Sequence, residues 1–550
     1  MNILNTNRYT KKKLALPAIS FAVCSALITG CFNHGNGNTT TLPPDTEPFA
    51  KDTLLSIQVL DTKGDPVKGA EVRITSDPSD VIPNAEEKQL TKDTPAGLVT
   101  YAPKEFSGSK ILQVIASKEG FLSNNMPLEV RGGKANEASI VITNIASNST
   151  EGISTKTVTA NSDKKITVTA KEGDGDGDSQ TTVVIDSDPG AKTKDNKPLG
   201  KELSVVVAQY DFDENEALDA FPGGFSVSIE NPGKLLADSK EAPPTDKITP
   251  TDGEVVFESA GFTAIEVKDS EGNVAKSFNK PVQISTRVNP NFINPVTKEK
   301  IKLGERIPIW SFEASTGKWS YEGTGEVKPG PNGTLKVDYD VKHLSYYNLD
   351  YFGGGRCNAT VTFMDTNGST HALSGRVASQ GWTHTFKYPG DESLILRNAP
   401  ADRLVTFENL KTVTGQNIDV IDPSGPINLC APDNSHTVLI KPPQVEYSEL
   451  TASANTYCSN DSSVADKPIK GTYIRIYTED WAYVGSAKTK SSGETSFRLP
   501  LGSYRVSMYD VAHRKNISKK VTLTSTETGS VALRVPQTCK VTTGGSSTGG

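Results

Sequence analysis

Leu55, Ile57 and Val59 alternate with polar positions, and Ala70, Val72 and Ile74 do so again after the turn Asp61-Thr62-Lys63-Gly64-Asp65-Pro66. Apolar residues at period two on both sides of a Gly/Pro/Asp turn predict a half-buried β-hairpin. Gly97 comes next, then the strand pattern Ile111 to Ala116, then Gly120-Phe121. Far along the chain the plan returns. PVKGAEVRI, from Pro66 to Ile74, is respelled as PIKGTYIRI, from Pro468 to Ile476. Ser492 to Pro500, with Gly493 in it, follows, and then the alternating strand Gly502 to Met508. The nine residues read as the opening hairpin of a small sandwich used at least twice. A third, weaker copy spans Asn358 to Pro432. There Val361 to Gly368 supplies the strand and turn without the Pro-x-Lys-Gly signature.

The stretch between the copies has its own strand patterns, such as Lys165 to Ala170 and Leu203 to Ala208. A hairpin is expected around Thr316-Gly317, flanked by Trp310 and Trp319. Aromatic pairs across a hairpin contribute roughly 0.2–1 kcal/mol each. Core packing is the first reading of these rings. A carbohydrate-stacking platform at Trp310, Trp319 or Trp382 is the second. Gly353-Gly354-Gly355 marks a joint. The Gly/Ser/Thr-rich end from Thr542 to Gly550 reads as a disordered tail.

The beginning of the chain points to export. Arg8, Lys11, Lys12 and Lys13 precede an apolar run from Leu14 to Ile28, which is followed by Thr29, Gly30 and Cys31. This order describes a secretory signal, and the run is shorter than the ~20 residues of a membrane span. Leu27-Ile28-Thr29-Gly30-Cys31 resembles the bacterial lipobox. That resemblance implies lipidation of Cys31 and membrane anchoring through acyl chains. Phe32 stands where Asp would imply inner-membrane retention, so the outer membrane is expected, on its surface or its periplasmic face. The polar stretch Asn33 to Pro48 reads as a tether.

Composition narrows the chemistry. Val, Thr, Ser, Gly and Pro suit strands and turns, and a net charge of -7 with no basic block excludes a nucleic-acid partner. Beyond Cys24 and Cys31, the cysteines are Cys357, Cys430, Cys458 and Cys539. In an exported chain these are expected as two disulfides. The local partition, Cys357 with Cys430 and Cys458 with Cys539, is one of three connectivities. No C-x-x-C favours zinc. The histidines are scattered, no G-x-S-x-G occurs, and Gly317-Lys318 fails the phosphate-loop pattern at Phe312 and Trp319. No enzyme activity is expected, and no cofactor other than calcium. Asp174, Asp176 and Asp178 alternate with glycine, and Asp211, Asp213, Glu214 and Glu216 cluster after a strand. Both runs fit a solvated acidic loop. The first also fits a calcium-binding loop, although neither follows the EF-hand spacing.

Gly64 to Val72, Gly97 and Gly120-Phe121 resemble the carboxypeptidase regulatory-like domain, a transthyretin-like β-sandwich; so do Pro468 to Ile476, Gly493 and Leu499 to Val506. The resemblance implies accessory modules without catalytic residues. The run Trp310 to Trp319, with His343-Leu344-Ser345 and Asn348 after it, resembles a β-rich segment of bacterial surface lipoproteins and of some animal matrix and membrane proteins. The expected organisation is all-β, a multi-domain chain of immunoglobulin-like or transthyretin-like sandwiches. Residues 1–30 are the signal and 31–52 the tether. Residues 53–145 form a regulatory-like sandwich and 146–352 a central β-rich region of one or two subdomains. Residues 353–447 form the divergent copy, 448–541 the last sandwich and 542–550 the tail. The expected shape is elongated. The expected role is a lipid-anchored structural or adhesion protein of the cell envelope that binds protein or glycan. The alternative is an accessory carbohydrate-binding component of a polysaccharide-processing or uptake system.

Overall fold

The computed structural model describes residues 39–41 and 51–542, apart from 77–80, 83–86, 92–94, 147–151, 172–179, 212–213, 231–253, 353–355 and a few shorter gaps. The fold is all-β. The first module opens with strand Leu54–Leu60, which pairs antiparallel with Leu98–Tyr101 and parallel with Ala135–Val141. Facing it is a sheet ordered Gln89–Leu90, Glu71–Ser76, Ser109–Ser117, Asn124–Arg131. The last module repeats this topology. Tyr447–Cys458 pairs antiparallel with Glu494–Pro500 and parallel with Gly529–Gln537. Its facing sheet runs Tyr483–Lys488, Tyr473–Thr478, Gly502–Asp510, Lys515–Leu523.

The repeated nonapeptide is repeated geometry. Gly69 and Gly471 both take left-handed φ values, 81° and 77°, at the turn after Pro-x-Lys. Gly97 and Gly493 lie where the chain crosses that turn. A Cβ on Gly97 would sit 2.8 Å from the Val59 carbonyl oxygen, and one on Gly493 would sit 2.8 Å from that of Ala454. Only glycine fits such a crossing. A buried threonine stitches each copy together. Thr91 Oγ1 accepts from the Ala70 amide and donates to the Val67 carbonyl; Thr489 Oγ1 accepts from Thr472 and donates to Ile469.

The third copy keeps the plan despite its missing signature. Arg356–Met364 pairs antiparallel with Leu394–Pro400 and parallel with Ser435–Lys441. Its turn matches that of the first module. Asp61 Oδ1 accepts from the Lys63 and Asp65 amides, and Asp365 Oδ1 accepts from Asn367 and Ser369. The divergence lies elsewhere. Strand Asp419–Asp422 pairs with Ser435–Lys441, whereas its counterparts in the other two modules join the facing sheet.

The central region is one sandwich. A continuous sheet path passes through Ile153–Asn161, Glu202–Tyr210, Glu254–Asp269, Tyr346–Phe352, Arg306–Glu313, Lys318–Pro329, Leu335–His343, Ser277–Val288, Gln180–Ile185 and Ile166–Lys171. It folds over at Lys318–Pro329, which pairs with Arg306–Glu313 at one end and Leu335–His343 at the other. Val205, Val207, Val267, Ile284 and Val337 fill the space between the two layers. Trp310 and Trp319 flank the hairpin as the pattern predicts, but their cross-strand partners are Tyr321 and Phe312.

The modules do not run out along an extended line. One aromatic core, with Phe221, Phe257, Trp310 and Trp319 of the central sandwich, continues into Val361, Phe363 and Phe386 of the third module. The cause is the outer face of the central layer. It carries too much aromatic surface to meet water and needs a cover. The first module docks on the same region, where Asn125 Nδ2 donates to the Ala314 carbonyl and Tyr346 Oη to that of Ser123, each at 2.8 Å. The last module folds back on the first. Leu54, Tyr473 and Tyr509 form one apolar contact between them, and Ala96, Leu98, Tyr477 and Trp481 form another. Two expected unstructured pieces also take part in pairing. Thr39–Thr41 of the tether pairs with Lys540–Thr542, which includes the first residue of the expected tail.

Candidate functional site

The structure joins Cys357 to Cys430 and Cys458 to Cys539, with Cα atoms 5.6 and 5.5 Å apart. Each bond closes one module on itself. Loops of this size contribute about 4 kcal/mol each in the chain-entropy account. Cys31 and the aspartates Asp174, Asp176 and Asp178 lie outside the described residues. Among the described residues no group of His, Cys, Asp or Glu is arranged to hold a metal ion. No helix among them is long and apolar enough to cross a membrane.

The tryptophans are core. Trp310 and Trp319 are 0 % exposed and Trp382 is 5 % exposed, so no sugar-stacking platform exists at these three rings. Trp310 Nε1 donates to the Asp350 carbonyl at 3.0 Å. The second acidic run leads into the short helix Asn215–Asp219. From it Asp219 and Glu216 reach Arg376 of the third module at 2.5 and 3.7 Å, and Thr385 adds a bond to Asp219 at 2.9 Å. Burial pushes the Asp219 carboxyl up, against the pull of Arg376. Part of this cluster therefore fastens two modules together, a role its sequence spacing does not announce. Glu258 holds Arg403 of the third module in a second, nearly buried pair.

The histidines are tied locally. His343 meets Glu322 at 3.0 Å, His371 meets Asp365 at 2.9 Å and His513 meets Asp510 at 2.6 Å. Asp350 is the outlying carboxyl. It is fully buried with Oδ1 unpartnered, and Asn348 Nδ2 donates to its Oδ2. Burial pushes its pKa well above the usual range. The native state then keeps a proton that the unfolded chain loses near pH 3.9. Asp350 therefore costs nothing below that pH, and its cost grows as pH rises toward its native pKa. Asp350→Asn is expected to raise the melting temperature at pH 7, because the amide carries no ionisation cost there. The gain should vanish near pH 3. An equal gain at both pH values would contradict a neutral buried acid.

A concave surface lies between the third and last modules. Two openings, of about 540 and 630 Å³, flank the hairpin tip Thr412-Val413-Thr414. Val413 packs against the core of the last module and divides them. The third module contributes the turn Asp365 to His371. The last module contributes the edges of strands Tyr483–Lys488 and Glu494–Pro500. His371, then the Ser369 and Asn367 amides, hold the Asp365 carboxyl below its usual range, so it stays ionised. The Arg498 guanidinium lies 5.0 Å over the Tyr447 ring. Pockets of this volume at a junction of modules, with a few placed polar groups, are where ligands usually bind. The sequence pattern names none of these residues as a group, because their adjacency depends on how the modules dock.

No family model matches this sequence. Among solved structures, GBS52, the minor pilin of Streptococcus agalactiae, aligns at 11% identity over 32% of this chain and 96% of its own, with a TM-score of 0.16. BcpA, the major pilin subunit of Bacillus cereus, aligns at 9% identity over 88% of this chain and 99% of its own, with a TM-score of 0.15. The full-length major pilin RrgB from Streptococcus pneumoniae aligns at 9% identity over 88% and 100%, with a TM-score of 0.14. Likeness at this level transfers no function, and the all-β assignment rests on the strands themselves.

Proposed function

We propose that this chain is a lipid-anchored, non-catalytic adhesion or scaffold protein of a bacterial outer membrane, which binds protein or glycan. The anchor is Cys31, by its resemblance to a lipobox. The modules are of the carboxypeptidase regulatory-like kind, by the nonapeptide and the glycines that serve it. The observation that carries the reading is the docked arrangement. Salt bridges and a shared aromatic core hold sandwiches to one another, a disulfide closes each of two of them, and a groove lies between those two. The hydroxyls and rings along that groove also favour the alternative, an accessory carbohydrate-binding component. Cys31→Ala tests the anchor in the full chain. The wild-type protein should fractionate with membranes and carry acyl mass, and at least tenfold less of the variant should do so. A variant that stays with the membrane and a wild type without acyl mass would overturn the reading.

A further inference from the structure

We propose that the groove between the third and last modules takes an acidic polysaccharide. The proposal rests on reading that groove as the protein's binding face. Its form suits an extended ligand. The two openings adjoin, sharing Thr412, Val413 and Val484 as lining. A chain-like molecule can occupy both, whereas a compact metabolite would use one.

The sign of the ligand follows from the cations. The chain carries a net charge of -7, yet Arg498 in one opening and Lys411 in the other have no ion-pair partner among the described residues. Glu449 lies across the strand from Arg498 without reaching it. Three acids stand on the groove walls. Asp365 is bound to His371, and Glu479 is bound to Lys520. Asp480 accepts from Thr478 Oγ1 and faces the Lys387 ammonium of the same opening. An exposed guanidinium held over a tyrosine ring suits a carboxylate or sulfate.

The lining favours sugar over peptide. Ser369, Thr370 and Ser486 bring hydroxyls to one opening, and Thr414 and Ser503 bring them to the other. Tyr447 and Phe497 stand half-exposed in the first, and Tyr483 in the second. Hydroxyls that both donate and accept match sugar hydroxyls, and aromatic faces give sugar rings an apolar surface to lie on.

The test uses the full chain and three defined polymers: polygalacturonate, neutral dextran and poly-L-glutamate. Polygalacturonate should bind, dextran should not, and polyglutamate should bind at least tenfold more weakly. Arg498→Gln combined with Lys411→Gln should weaken polygalacturonate binding by about a hundredfold, since each lost charge-assisted contact is worth roughly a factor of ten. Lys63→Gln, in an exposed turn of the first module, should change nothing. Binding of polyglutamate as tight as that of polygalacturonate would overturn the proposal, and so would no binding or an unaffected double variant. A further arm separates ligand class from site. Envelope extract is passed over the immobilised full chain and over its Ser486→Trp variant, which fills the groove. If no polymer binds but Ser486→Trp still abolishes capture, the ligand class is wrong and the groove stands. If Ser486→Trp leaves both capture and polymer binding unchanged, the groove itself is the wrong site.

Discussion

Arg475→Ala is expected to undock the last module from the first and to cost about 3–5 kcal/mol, the usual result of removing one member of a buried ion pair. Arg475 is 0 % exposed although it belongs to the outer face of its own module. It crosses to the first module, where Nη1 donates to Ser56 Oγ and lies 3.5 Å from Glu137 Oε1. Its other arm donates to Asn516 at 2.6 Å, and Tyr477 Oη donates to Glu137 at 3.1 Å. Burial pushes the Glu137 carboxyl up, against the pull of Arg475. Losing the guanidinium therefore strands an acid that is already costly to ionise. Arg475→Met with Glu137→Gln removes both charges and should recover most of the loss. Scattering should report a larger radius of gyration for Arg475→Ala alone, and calorimetry a lower melting temperature. If both match the wild type, the two modules are not closed on each other in solution.

The same arginine shows where sequence reading stops. PVKGAEVRI and PIKGTYIRI place Arg73 and Arg475 at the same point of the same hairpin. Arg73 is only half-buried, whereas Arg475 is sealed. Period-two alternation tells which side chains face a module's own interior, and it placed Val72, Ile74, Ile474 and Ile476 there correctly. It assigns the opposite face to solvent by default. Whether that face meets water or another sandwich depends on surfaces distant in sequence. The strands and the hairpin at Thr316-Gly317 follow from local rules of alternation and turn chemistry, and the cysteines take the local partition of the three open to them. The compact arrangement does not follow from them, so the pattern pointed to an elongated chain. The groove was invisible for the same reason. Arg498, Lys411 and His371 look like ordinary surface residues until docking brings them to a common opening.

Trp319→Ala should be the most damaging single substitution in the central sandwich, at about 3–5 kcal/mol for a fully buried large aromatic. The indole stacks on Phe221 at 5.4 Å, meets Phe257 edge-on at 5.3 Å and tilts against Phe312 at 5.1 Å. These rings come from the segment after the short helix and from two different strands, in the core that continues into the third module. The cavity would therefore loosen the attachment of that module as well as the sandwich. Trp319→Phe separates packing from polarity. Trp319 Nε1 has no hydrogen-bond partner, so phenylalanine loses volume and no bond. Trp310→Phe loses a similar volume and also the Nε1 bond to the Asp350 carbonyl. That substitution should cost about 1 kcal/mol more than Trp319→Phe, the usual worth of one hydrogen bond. Urea unfolding of the three variants checks the order: Trp319→Ala worst, Trp310→Phe next, Trp319→Phe mildest. If Trp319→Ala proves no worse than Trp319→Phe, the indole does not join the central sandwich to its neighbour. The polar contacts of Arg376, Thr385 and Arg403 would then carry more of the attachment of the third module.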